Sequence, residues 1–229
     1  MNQFAWALAA FVALHVGVAA GGLRSALVAK LGEGRYRALF SIASAVLLIW
    51  LIWAFAQMRA DPFDPLNMAL WTPPSWARHV THLLVLLGFL LAVTGLLSRT
   101  FKTSDAEPAR GMMRVTRHPF LWGVAFWALG HLISNGERFA VMLFGALGVM
   151  ALLGARSIDR KSAARDPENW ARFEAATSNL PFAAIVQGRN RFVFSEVHWR
   201  LLIALIVFAL VGYFHQALIG VPAFVGMHP

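Results

Sequence analysis

The sequence predicts an all-α polytopic membrane bundle of about six transmembrane helices, and three observations carry the prediction. Of 229 residues, 59% are hydrophobic and only 14% are charged, against roughly 25% charged in soluble domains. Several apolar runs approach the roughly 20 residues that a helix needs to cross the hydrocarbon. Lys and Arg are sorted between those runs, with four, two, five, one and eight in successive connections. A chain in lipid must satisfy its own backbone polar groups, so runs of this length are helices.

The spans are expected at about Phe4 to Gly22, Leu39 to Gln57, His79 to Leu97, His118 to Ser134, Phe139 to Ala155 and Trp199 to Ile219, forming one transmembrane domain over residues 1–229. No basic residue precedes the first run, which opens Met1-Asn2-Gln3-Phe4, so it reads as a retained span rather than a cleaved leader. The Pro-rich connection Asp61 to Ser75, with Trp71 and the adjoining Trp76, is expected to form a structured cap at interfacial depth. Pro119 lacks an amide proton and has φ preset, which suits the first turn of a helix, so the fourth helix should begin at Arg117 or His118. The last connection, about residues 156–198, contains DPENWARFEAATSNLPF. There Pro167 should open a cytoplasmic amphipathic helix with Trp170, Phe173 and Ala176 on one side, ending before Pro181. The alternation of basic residues puts the first, third and fifth connections inside and both termini outside.

Net charge is +9. The basic residues border apolar spans, where orientation and lipid phosphates account for them, and no nucleic-acid partner is expected. Cysteine is absent, which excludes disulfide scaffolds, thiolate haem ligation, iron–sulfur clusters and Cys-type zinc sites. No nucleophile motif of an ordinary hydrolase is visible either.

That leaves histidine as the informative ligand type, and the eight histidines sort by depth. His198, His215 and His228 read as interfacial. His79 and His82, three apart, share a helical face and make a weak metal pair without a third ligand. His15 and His131 lie well inside apolar spans, where an ionisable side chain is costly unless neutral and partnered. The neutral ring is also the form that binds metal. Near His15, Gly17, Ala19, Gly21 and Gly22 leave room for a flat guest or a close helix. On an axial rise of about 1.5 Å per residue, His131 lies about 20 Å from the inner end of its span and His15 about 10 Å from its own.

The strings GGLRSAL after His15, LGEGRYRALFS, LWTPPSWARH, GMMRVTRHPFLWG, WALGHLISNG, SIDRKS and TSNLPF follow one another along nearly the whole chain. By them the chain resembles the NnrU family of membrane proteins, whose name reflects an association with nitrite and nitric oxide reductases. The resemblance implies a bacterial inner-membrane protein with a lipophilic substrate or a partner enzyme of respiration or denitrification. The same order of motifs is more distantly similar to the 15-cis-ζ-carotene isomerases, which use haem b held by two histidines. Carried over, this makes His15 and His131 the metal ligands of a haem b, in a protein of redox or isomerase chemistry. Arg117 and His118 would then meet a haem propionate.

RHPFLWG also looks like the R-H-P-x-Y-x-G motif of membrane methyltransferases. That implies an alternative, an S-adenosylmethionine site around Arg117, His118 and Asp159. Leu121 stands where those enzymes carry an aromatic residue and Ile158-Asp159 where they carry paired glutamates. On the residues alone, Asp159 reads as an interfacial ion pair with Arg156 or Arg160. A non-catalytic accessory role beside a respiratory reductase is the third reading.

Overall fold

The computed structural model describes residues 2–20, 23–98 and 109–224. Gly21, Gly22 and His228, and the side chain of Ala19, lie outside the described residues. The helices are α1 (Gln3–Ala13), α2 (Leu23–Leu31), α3 (Glu33–Ala60), α4 (Ala77–Leu96), α5 (Pro119–Ser134), α6 (Arg138–Arg165), α7 (Pro167–Ala176), α8 (Ala183–Val186) and α9 (His198–Ile219). All six apolar runs are helical, as a helical membrane bundle requires.

Four of them, α3, α4, α6 and α9, are long and apolar enough to cross a bilayer. The first run departs from a simple rod. After Ala13 it widens into a π-helix at Leu14–Ala20, and its axis lies at 77° to α2, a bent pair that would make a fifth span. The fourth run also differs from a full span. At 16 residues α5 is about 24 Å long, short of a hydrocarbon core of about 30 Å.

Two boundaries move outward. Helix α3 begins at Glu33 rather than Leu39, and α6 runs to Arg165 rather than Ala155. The added turns are polar and carry their own electrostatics: Glu33, in the first turn of α3, accepts from Arg24 and Arg37, each at 2.8 Å, where the helix dipole favours an anion.

Small residues let α5 sit against α4 almost backbone to backbone. A Cβ added to Gly123 would lie 2.6 Å from the Gly88 carbonyl oxygen and from the Ala92 nitrogen, and one added to Gly88 would lie 2.8 Å from the Gly123 oxygen. Further along, Gly95 faces Pro119, and Gly130 faces the Thr81 carbonyl. The Thr81 hydroxyl donates to the Gly130 carbonyl at 2.8 Å. Close approach of this kind is how helices associate where lipid removes the hydrophobic drive.

On the other side of α6, the aromatic cluster of Phe4, Phe55, Phe139 and Phe144 binds α1 and α3. The cap connection is structured, as its prolines imply. Its Leu70 amide donates to Gly136 at 2.7 Å, the Arg138 amide donates to Met68 at 3.2 Å, and Asp64 accepts from Asn2 at 2.7 Å. These bonds tie one end of α1, α3 and α5 together.

Gly123→Ala should lower stability by about 1–3 kcal/mol, the usual effect of overpacking, whereas Gly145→Ala, with nothing within 4 Å of its added carbon, should be close to neutral. Thermal unfolding of the two variants in detergent checks this contrast, and equal melting temperatures would contradict the seam.

Candidate functional site

Two polar places interrupt the bundle, one at each end. At the basic end the segment 114–119 folds against 177–182. The Arg117 amide donates to Ser178 at 2.9 Å and the Phe182 amide to Val115 at 2.8 Å. The Thr116 hydroxyl donates to the Asn179 carbonyl at 2.6 Å, and the Trp122 indole to the Asn179 side chain at 3.0 Å. Phe182 is held at φ 65°, a left-handed conformation that costs an L-residue roughly 1–2 kcal/mol. The two motifs TRHP and TSNLPF are therefore one structural unit.

Helix α5 starts at Pro119 with His118 as its flanking residue, within a residue of expectation. His118 Nε2 lies 2.6 Å from Asp159 Oδ1, and Arg117 lies 3.2 Å from Asp159 Oδ2. Arg117 also reaches Glu174 at 3.7 Å and stacks over Trp170 at 5.2 Å. This corrects the pairing read from sequence: Asp159 engages Arg117 and His118 across the bundle, not Arg156 or Arg160 along its own helix. Helix α7 forms over Pro167–Ala176 as expected, and its Phe173 is buried. Alongside, Arg114 forks onto Glu196 through two bonds of 2.9 Å. That fork, with the Gly111 amide, holds the Glu196 carboxyl below the ordinary glutamate range. Arg114, Arg117 and His118 are thus paired with the protein's own carboxylates.

The opposite end is hollow. A cavity of about 530 Å³ opens where α3, α4, α5, α6 and α9 converge, with residues 221–224 forming its roof. His131 lines it. Its Nδ1 lies 2.9 Å from the Trp127 carbonyl, and a carbonyl can only accept, so in the neutral ring the proton is on Nδ1 and Nε2 keeps its lone pair. The ring is stacked on Phe144 at 4.7 Å. This fixed tautomer, with the second nitrogen held by a carbonyl, is the usual arrangement of a metal-binding imidazole.

His15 repeats the device on α1 and its π-helical continuation. Its Nδ1 lies 2.8 Å from the Phe11 carbonyl, and Ser44 Oγ lies 3.2 Å from Nε2. The acceptor in both cases is the carbonyl four residues back, a partner that side-chain motifs do not reveal. The π-helix gave no sequence signal, although such turns gather at functional sites. His15 does not line the cavity. Its partner Ser44 lies one turn beyond Leu48, the cavity residue farthest along α3 from Arg59, so the two imidazoles stand at different depths.

Three further histidines take backbone partners. His82 Nε2 bonds the Ala223 carbonyl at 2.7 Å and its ring stacks on Phe224 at 5.1 Å. His215 Nδ1 bonds Val221 at 2.7 Å, and His198 Nδ1 bonds Ser195 at 3.0 Å. His82 and His215 thus hold the roof, and a Cβ on Gly212 would collide with the Phe224 ring. Among the described residues no group of three His, Cys, Asp or Glu is placed to hold a metal ion.

Comparison with known proteins places these features in a lineage. The family model described as NnrU protein matches residues 3–223. The chain is 30% identical over 192 residues to the chloroplastic 15-cis-zeta-carotene isomerase of Zea mays, a match covering 79% of this chain and 50% of the maize protein. It is 40% identical over 82 residues to the isomerase of the same name from Arabidopsis thaliana, covering 35% of this chain and 22% of that one. The chain therefore spans at most about half the length of these relatives. No solved structure matches it.

Asp159→Asn leaves the buried Arg117 guanidinium without its nearest carboxylate and should cost about 3–5 kcal/mol, the usual effect of breaking a buried pair. Denaturant unfolding in detergent checks it, and an unchanged midpoint would show that the network contributes no stability.

Proposed function

The chain belongs to the NnrU family, and on that premise we propose that it is an isomerase-type or redox membrane protein acting on a lipophilic substrate with haem b as cofactor. One observation carries the reading: His131, whose Nδ1 is committed to the Trp127 carbonyl, lines a largely apolar cavity at the end of the bundle opposite Arg117 and His118. The volume, about 530 Å³, falls in the roughly 300–1,000 Å³ range of small-molecule sites.

Of the two donors, His131 fits the cofactor by lining the cavity, and His15 stands at another depth. Both His131 and His15 are held with the proton on Nδ1 by carbonyl acceptors, so each offers the nitrogen that ligates iron. His131 would hold the iron from within the cavity. His15 would join it as a second ligand only by leaving Ser44 and shifting to the depth of the cavity. When bound, haem supplies an iron for one-electron or polarising chemistry. The protein's part is to exclude water with its Leu and Phe walls and to fix the tautomer of His131 through the Trp127 carbonyl.

Arg117 and His118 serve a different purpose in this reading. Their shared Asp159 makes them a structural lock at the basic end, away from the cavity. With the basic connections inside, the cavity opens toward the outer face of a bacterial inner membrane.

Protein purified in detergent from haem-replete cells should show a Soret band. His131→Ala should abolish it, and His15→Ala should shift it or lower haem retention at least tenfold. A folded, colourless wild type would remove haem from the account, and a band unchanged in His131→Ala would place the haem elsewhere.

A further inference from the structure

The His131 cavity is polar at one end only. Arg59 in the last turn of α3, Arg78 in the first turn of α4 and Asn135 after α5 all line that end, and Phe89, Leu147 and Phe208 line the other. Phe89 lies eleven residues below Arg78, about 16 Å at 1.5 Å per residue. From this polarity we propose that Arg59 and Arg78 form an anion-binding mouth that takes the carboxylate head of an otherwise apolar ligand. The proposal rests on the reading of the cavity as a lipophilic binding site and adds the chemistry of its head group.

Three observations converge on the two guanidiniums. The second and fourth connections hold just three of the twenty basic residues, Arg59, Arg78 and Arg138, and two of these three line the cavity. Neither Arg59 nor Arg78 has an ion-pair or side-chain hydrogen-bond partner among the described residues, whereas Arg24, Arg37, Arg114 and Arg117 are all matched by Glu or Asp. Arg78 moreover stands in the first turn of α4, where the helix dipole disfavours a cation. Local helix electrostatics do not explain it, but a bound anion does. A guanidinium fork suits a carboxylate, and two forks at one mouth can grip one or two of them.

Carboxylates on an apolar body come from two sources, the propionates of haem or the head of a fatty acid. Full-length protein in detergent is titrated with haem b and its dimethyl ester, and with a fluorescent polyene fatty acid and its methyl ester. The wild type should prefer the acid over the ester by about tenfold or more in at least one pair. The pair that discriminates identifies the source. In the Arg59→Gln/Arg78→Gln double variant the preference should vanish with ester affinity unchanged, while Arg35→Gln, remote from the cavity, keeps it; the unchanged ester affinity also certifies the fold. Equal binding of acid and ester by the wild type, or a preference that survives the double substitution, overturns the mouth and leaves the cavity reading intact. Failure of the wild type to bind any of the four ligands overturns both.

Discussion

The near-contact of α4 and α5 is the constraint on which the rest depends. Because Gly88, Gly123 and Gly130 carry no side chains, the short α5 is held by α4 along its length instead of by lipid. It can therefore be shorter than the bilayer core and still be fixed in depth. Its last full turn then borders the space enclosed by α3, α4, α6 and α9, and that unfilled volume is the cavity at His131. A bulkier seam would push α5 outward and move the imidazole with it.

Both ends of α5 are anchored differently. At Pro119 the anchor is polar and nearly buried: Thr116, Arg117 and His118 spend their bonding capacity on Asn179, Ser178 and Asp159. Such a network pairs most of the groups that would be expensive to leave bare, Arg117 Nε excepted, and it gives the conspicuous RHP motif a structural role. At Ser134 the anchor is backbone bonding to the cap connection, joined by Ser134 bonding Thr81 and Asn135 donating to the His131 carbonyl. The contrast separates a lock from a site. At the basic end Arg114, Arg117 and His118 are paired with carboxylates, while Arg59 and Arg78 at the cavity have no such partner among the described residues.

Much of the fold was legible in the sequence because lipid imposes a simple rule, that long apolar runs be helices. The helix at Pro167, the start at Pro119 and the structured cap followed from proline's missing donor and preset φ. The bend after Ala13 was not legible, since a π-helix needs no special residue type. Nor was the partner of Asp159, which is set by how α5 crosses α6. For the candidate site, depth singled out His15 and His131, and the structure adds the carbonyl that fixes the tautomer of each. Their placement around a common guest was an expectation that helix counting could not fix, and the described structure holds them at different depths. Arg59 and Arg78 were counted only as loop charges; the signal that could have raised them was their scarcity on that face.

The cavity, its single-ended polarity and the neutral His131 nitrogen form one account of a site built for a lipophilic guest. A cryo-EM map of the haem-loaded protein in a lipid nanodisc tests it most directly. The account predicts planar density between α3, α5 and α9 with its metal about 2 Å from His131 Nε2, the length of an imidazole–metal bond. Density seated instead at Arg117 and His118, with the His131 cavity filled by packed side chains, would contradict it.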